Sequence, residues 1–349
     1  MAFDFNGQPL NRVSERKLQQ LRLSLEQSLQ SAPSAGFEHW AFTPCALPEL
    51  DFEEIDISCR FLDRRLGLPF LISSPGAGAA PSGEMNRRLA LVAQAMGAAF
   101  AVPSQHAGLS HRDLRPAYQV RGVAPDILLF ASLNAVELNY GLRKSDCLDA
   151  IEMIGADALV LQLNALQHAL QPSAARNFRG LTEKIAALSA ELPVPVIVKE
   201  SGCGISGEDA RKLAAAGVRA IDVAGLGGLS AARVSAFRRQ AAEEVELALS
   251  FCEWGIRTAD ALRQCRLALP ALPLIASGGL KNGLDAAKAI ALGADLCGFA
   301  QPLHKAARES EDAVRSLLGG FAWQLRVAMF CAGVGDLRRL RTATLREVR

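Results

Sequence analysis

The residues with the clearest chemical potential in this sequence are two glycine turns and a lysine. The first turn reads Ala276-Ser277-Gly278-Gly279-Leu280-Lys281-Asn282-Gly283 and follows a short apolar run. Glycines let backbone N–H groups approach an anion closely, and a helix beginning there adds the positive end of its dipole. The second, Gly293-Ala294-Asp295, leads into another apolar run that ends at Gly298-Phe299-Ala300. Consecutive turns of this kind predict a phosphate cradle; the competing reading is two ordinary turns. Lys199 ends the run Pro195-Val196-Ile197-Val198-Lys199-Glu200. A lysine directly after a buried strand is costly unless its charge is used. It could face an electron-rich ring, such as the pyrimidine of a reduced flavin, or simply snorkel to the surface.

Eight apolar runs could position these groups: Pro69–Ser74, Ala98–Ser104, Ile127–Leu133, Ala158–Asn164, Val194–Glu200, Ala220–Gly225, Pro273–Gly279 and Leu296–Gln301. Their apolar character is continuous rather than alternating, which marks strands covered on both faces. Most are followed by alanine- and leucine-rich helical patterns, which predicts parallel strands with right-handed crossovers. Eight such units predict an α/β fold, a (β/α)₈ TIM barrel with an N-terminal helical and extended segment. An open doubly wound sheet would more often carry a phosphate-binding glycine loop near its start. Barrel active sites lie at the C-terminal strand ends. The candidates there are Ser73-Ser74, Ser104-Gln105, Ser132, Gln162 with Asn164, Lys199-Glu200, Asp222, Ser277 to Gly279, and Ala300-Gln301.

Outside these runs, leucines at 18, 21, 23, 25 and 29 predict a helix over residues 12–32, capped by Ser14. An extended stretch follows over Ala41 to Leu50, then a short hairpin within 52–67. Residues 226–270 form the longest excursion and read as an irregular lid or substrate wall. A final helix is expected over 307–333. The expected division is an N-terminal extension (1–66) contributing to the substrate site, a barrel (67–335) and a basic C-terminal tail (336–349).

The chain has 349 residues, 50% hydrophobic content and a net charge of +2, ample for a large core and without the clustered basic face that nucleic acid requires. Its eight cysteines form no CxxC pair, and several lie in apolar runs, so they read as reduced, buried small hydrophobes. No leader or membrane-spanning run is evident, which predicts a soluble, cytoplasmic protein.

Further segments carry a resemblance that extends over nearly the whole chain. They are Arg16-Lys17, Ala46-Leu47-Pro48-Glu49, Leu71-Ile72-Ser73-Ser74, Asn86-Arg87-Arg88-Leu89-Ala90, Ser104-Gln105 and Ala124-Pro125-Asp126. After them come Leu163-Asn164-Ala165-Leu166-Gln167, Val198-Lys199-Glu200, Asp222-Val223-Ala224-Gly225, Trp254-Gly255-Ile256, Ala276-Ser277-Gly278-Gly279 and Gly283-Leu284-Asp285. In order and spacing the chain resembles the type 2, FMN-dependent isopentenyl-diphosphate isomerases. The resemblance implies a reversible double-bond shift between isopentenyl and dimethylallyl diphosphate, with FMN reduced by NAD(P)H and no net redox change. It implies that Arg16, Lys17, Asn164, Gln167 and His168 bind substrate and that Gln167 assists proton transfer. It further implies that Ser73, Ser74, Ser104, Ser132, Lys199, Gly278, Gly279, Lys281, Phe299 and Ala300 bind FMN, and that the protein is a homo-oligomer, a tetramer or larger.

The departures from that pattern fall on the substrate side. Gln162 stands where the family usually has His. His168 stands at the family's Mg²⁺-ligand position, and Gln171-Pro172-Ser173-Ala174-Ala175 lacks two further carboxylates. Pro75-Gly76-Ala77-Gly78 replaces the usual flavin loop, while Gln20, Pro44, Ser132 and Leu229 also differ. Mg²⁺ prefers hard oxygen ligands, so no metal ligand is assigned; His168, Arg176, Arg16 and Lys17 could meet a diphosphate directly. Two alternatives stay open: an FMN-dependent oxidoreductase acting on a different substrate, and a flavin-binding protein without catalysis.

Overall fold

The computed structural model describes residues 29–73, 80–171, 175–239 and 241–348. The expected helix lies outside the described residues over 12–28, as do Arg16, Lys17, Ser74 and Pro75 to Gly78. Each of the eight apolar runs contains one strand of a closed parallel barrel. An antiparallel pair of short strands, β1 (Trp40–Phe42) and β12 (Leu345–Glu347), and a hairpin, β2 (Cys59–Phe61) with β3 (Arg64–Leu66), lie outside it. The barrel strands are β4 (Phe70–Ser73), β5 (Ala99–Ala101), β6 (Leu129–Asn134), β7 (Ala158–Gln162), β8 (Val196–Lys199), β9 (Ala220–Asp222), β10 (Leu274–Ala276) and β11 (Leu296–Phe299). β11 pairs with β4 and closes the ring.

Strand alternation sorts the side chains into two cores. Outward residues such as Phe70, Ile72, Leu129 and Val198 pack under the surrounding helices. Inward residues Leu71, Ala99, Phe130, Ala158, Val160, Ile197, Ala220, Ile275 and Leu296 fill the barrel, and Phe61 and Leu66 of the hairpin close its lower end. Fully burying one of the Leu, Ile, Val or Phe side chains among them contributes about 1.5–3 kcal/mol. Two residues further along the same strands, the inward positions turn polar: Ser132, Gln162, Lys199, Asp222 and Ser277. The barrel therefore has an apolar floor and a polar mouth.

Two expectations need correction. The 226–270 excursion is largely helical, with helices Ala231–Phe237, Ala242–Leu249 and Thr258–Ala268. Polar and glycine punctuation concealed their short amphipathic patterns. The final helix is two helices, Gln301–Glu309 and Glu311–Cys331. Ser310 separates them in an extended conformation (φ −163°), and its side chain accepts from the Ala313 N–H as the cap of the second.

The basic segment near position 340 is ordered. A short helix (Leu337–Leu340) buries Leu337 and Leu340, and Arg341 pairs with Asp295 at 2.6 Å. All eight cysteines are free: Cys147, Cys265 and Cys297 are buried, and Cys331 is exposed. Burial pushes the thiols of Cys147 and Cys265 up to about 12. No helix among the described residues is long and apolar enough to cross a membrane.

Candidate active site at the barrel mouth

Strand register sets one polar tier. Asn134 pairs with Gln162, Gln162 with Lys199, and Lys199 with Asp222 across four neighbouring strands. Gln162 Nε2 donates to Ser132 Oγ at 2.6 Å. Lys199 Nζ donates to Asp222 Oδ2 and, at 2.6 Å, to Ser277 Oγ. Asn134 Nδ2 donates to Glu137 Oε1 at 2.9 Å, and the other Glu137 oxygen meets His106 Nδ1 at 3.1 Å. Beneath this tier, fully buried Gln105 ties Ser132 down, accepting from its N–H at 3.0 Å and donating to the carbonyl of Ala150.

Of the sequence-predicted cofactor residues, Ser73, Ser104, Phe299 and Ala300 lie at or just beyond barrel strand ends, and Lys281 lies between β10 and the helix Gly283–Ala291. Ser73 ends β4, and its carbonyl accepts from Nε2 of buried His304. Burial pushes His304 down to about 4, so this imidazole is neutral. Ser104 follows β5 with its hydroxyl buried and without a hydrogen-bond partner. Lys281 is exposed, and its backbone N–H donates to Asp285. Phe299 turns its ring into the outer core, 5.3 Å from Phe70 and 4.8 Å from Phe321. Only its backbone faces the mouth, so any contribution it makes to a ligand is through the main chain.

At the ends of β10 and β11 the backbone is arranged for an anion. Gly279 adopts φ +89°, and an added Cβ would come within 2.3 Å of the Gly227 backbone. The glycines therefore serve close loop-to-loop packing. Buried Thr258 holds both loops, with its hydroxyl facing the carbonyls of Leu226, Ser277 and Gly278. The helix Gln301–Glu309 begins at Ala300 without a side-chain cap, and Gln301 Nε2 is buried without a partner. By contrast, Asn282 caps the neighbouring helix Gly283–Ala291. An uncapped helix start at Ala300, with Gln301 Nε2 unpartnered in its first turn and the glycine turn on the neighbouring strand, is a donor set that fits the phosphate of FMN.

On the substrate side, Asn164 precedes the short helix Ala165–Leu170 that carries Gln167 and His168. The Asn164 Oδ1 and His168 Nδ1 atoms are buried and lack partners. Burial pushes His168 below the usual imidazole range, with Glu137 opposing. Arg176 braces this helix end through the carbonyls of His168 and Gln171. Among the described residues no group of three His, Cys, Asp or Glu could hold a metal ion. The donor set beside Gln167 is an imidazole and amides, a poor match for Mg²⁺.

Sequence reading named Asp222, Gln105 and Glu200 only as strand-end residues. Glu200 is buried and accepts from the N–H groups of Ser201 and Cys203, both at 2.6 Å. Burial pushes its carboxyl up to about 7 despite those donors. Inward parity on β9, counted from Ala220, would have singled out Asp222.

A closed parallel barrel with a phosphate-ready rim and a lysine at its mouth defines the flavin-binding class of TIM barrels. The FMN-dependent dehydrogenase family matches residues 157–347. Among solved structures, a lactate oxidase from Pediococcus acidilactici superposes with a TM-score of 0.69 at 20% identity, covering 97% of this chain and 94% of that one. A mandelate oxidase variant with benzaldehyde gives 0.65 at 21%, covering 97% of each. These two likenesses concern the fold. An isopentenyl-diphosphate delta-isomerase from Nostoc sp. is 44% identical over 94% of each chain. Its counterpart from Stutzerimonas stutzeri is 47% identical over 91% of this chain and 92% of its own. The chain belongs to the FMN-dependent, type 2 isopentenyl-diphosphate delta-isomerase family.

Proposed function

We propose that this protein binds FMN at the barrel mouth and interconverts isopentenyl and dimethylallyl diphosphate. The observation that carries the reading is the placement of Asn164 and Gln167 immediately beyond β7, whose Gln162 stands in register with Lys199. Substrate residues and a ring-facing ammonium thus belong to adjacent strands. The names of relatives 44–47% identical over nine-tenths of the chain support the same activity.

FMN, when bound and reduced, supplies an electron-rich ring for proton movement at the allylic carbons. The chain's own residues do the rest. Gly278, Gly279 and the start of the helix Gln301–Glu309 bind the phosphate, with Ser73, Ser74, Ser104, Ser132, Lys281, Phe299 and Ala300 completing the cofactor site. Lys199 presents its ammonium to negative charge on the ring. Gln167 orients and assists the proton transfer, and Asn164 lines the substrate. Arg16 and Lys17 bind the diphosphate from the N-terminal segment. That segment reaches the rim at Leu29 to Ser31, where the Ser31 N–H donates to the Gly228 carbonyl at 2.7 Å. His168, whose neutral form burial favours, offers a hydrogen bond in place of a metal ligand.

The finer parts of the reading are that NAD(P)H reduces the flavin, that Mg²⁺ is dispensable, that the protein is cytoplasmic, and that it works as a homo-oligomer, a tetramer or larger. The residues beside Gln167 support metal independence. The test is incubation of FMN-loaded, reduced protein with isopentenyl diphosphate, with and without Mg²⁺, following dimethylallyl diphosphate. Absence of turnover in every condition rejects the reading. The imidazole at position 168 favours one alternative, an FMN oxidoreductase on a different substrate. Stoichiometric flavin oxidation by an acceptor, with no isomerisation, would establish it.

A further inference from the structure

Three successive barrel strands meet on one carboxylate. Asp222 ends β9 with a side chain only 2% exposed. Its Oδ2 receives Lys199 Nζ from β8, and its Oδ1 receives Ser277 Oγ, just beyond β10, at 2.6 Å. The Ala224 N–H also reaches Oδ1, at 3.3 Å, in a stretch where Ala224 takes the left-handed φ of +36°. Ser277 closes the triangle by accepting from Lys199 at 2.6 Å while donating to Asp222.

A buried carboxylate is strongly unfavourable without a partner of opposite charge and donors for its remaining lone pairs. Asp222 has both. The ammonium gains as well: a lysine head is a point charge on a flexible four-carbon stem, and two fixed acceptors on neighbouring strands select one position for it. Removal of Asp222 would free that head and leave a lone positive charge in the mouth.

We infer that Asp222, with Ser277 as its bridge, is the positioning residue for Lys199: it fixes the ammonium beside the flavin ring and offsets its charge, so that the ring meets a neutral pair. The inference rests on the flavin-binding reading above. Asp222 acts through Lys199 and through charge, without touching substrate.

The test uses the FMN-loaded protein and three variants, Asp222→Asn, Asp222→Glu and Ser277→Ala. Each is assayed for flavin reduction potential by dye equilibration, for FMN dissociation constant, and for kcat. Asp222→Asn changes the local charge from neutral to positive, so the potential moves to more positive values and kcat falls at least tenfold. Asp222→Glu keeps the charge and returns the potential toward that of the parent. Ser277→Ala keeps the charge and loses the bridge, so kcat falls while the potential stays put. A folded, FMN-loaded Asp222→Asn protein with parental potential and kcat overturns the inference. So does a Glu variant with the potential of the Asn variant. If Asp222→Asn fails to retain FMN, the Glu and Ser277→Ala proteins decide: a shifted potential in Ser277→Ala, or parental kcat in it, overturns the inference. A parent protein that binds FMN yet fails to isomerise isopentenyl diphosphate would sink the functional reading and leave the potential measurements intact.

Discussion

The amide of Gln162 donates to the hydroxyl of Ser132 at 2.6 Å, from one barrel strand to the next. Ser132 is held from below by Gln105, so the bond links a mouth residue to a fully buried anchor. Gln162→Leu keeps the volume and removes the donor. A hydrogen bond of this kind contributes about 1 kcal/mol. The bond exists in the protein alone, so urea unfolding of the apoprotein should show a loss of about that size, and FMN affinity should weaken with it in fluorescence titration.

Ser104→Ala removes a hydroxyl that is buried and unpartnered in the protein alone. An unsatisfied buried polar group costs about 1–3 kcal/mol. The apoprotein should therefore melt at the same or a higher temperature, while FMN binds more weakly. Opposite movement of the two measurements identifies the hydroxyl as a ligand-facing group; a drop in both would mark it as structural.

Gly279→Ala places a methyl 2.3 Å from the Gly227 backbone at a φ of +89°. Both contact and conformation oppose it, and the conformation alone costs of order 1–3 kcal/mol. Loss of FMN binding and a lowered melting temperature are expected together. A variant with parental affinity would show that this turn is not the phosphate cradle.

Acid dependence follows from two buried groups of opposite sign. Glu200, pushed up to about 7, holds a proton in the folded state that the unfolded chain releases near 4.5. Its contribution is therefore full below pH 4.5 and declines as pH rises to 7. His304, pushed down to about 4, stays neutral while the unfolded chain takes up a proton near 6.5. Its contribution is full above pH 6.5 and declines as pH falls to 4. The two slopes oppose each other between about pH 4.5 and 6.5, each bounded by about 1.4 kcal/mol per pH unit. Glu200→Gln should expose the His304 slope. Urea unfolding of that variant should then lose stability between pH 6.5 and 4.5 where the parent stays nearly flat.

Among the described residues, His168 and its neighbours form no group of three His, Cys, Asp or Glu that could hold Mg²⁺, although the Glu137 carboxylate lies within electrostatic reach. Turnover by the reduced, FMN-loaded protein should stay within about twofold when EDTA replaces Mg²⁺, a difference of under 0.5 kcal/mol in barrier. A loss of tenfold or more would mean that residues elsewhere assemble a metal site.

The barrel was legible because strands covered on both faces must be apolar throughout, and eight such runs stand out whatever joins them. The close-packed turn after β10 was legible for a related reason: Gly278 and Gly279 leave a mark in sequence wherever backbone must come close to backbone. The helices between 231 and 268 were hidden because their buried stripes are made of alanine and short turns. The break at Ser310 was hidden because a serine cap inside a long helical pattern looks like any polar surface position. Asp222 was legible as a strand end, but its attachment to Lys199 and Ser277 depends on register between strands, which no single segment carries. His304 was invisible, since nothing local says that its ring will reach across to the Ser73 carbonyl.

The short ladder between β1 and β12 has a temporal side. Residues 40–42 leave the ribosome long before residues 345–347, which pair with them. At roughly 5–20 residues per second the delay is on the order of 15–60 s. Until then the segment leading to the rim is fastened by only part of its final contacts. The last barrel strand ends at Phe299, about 46 residues before Leu345, so a nascent chain can close its ring roughly 2–9 s before this outer ladder can form.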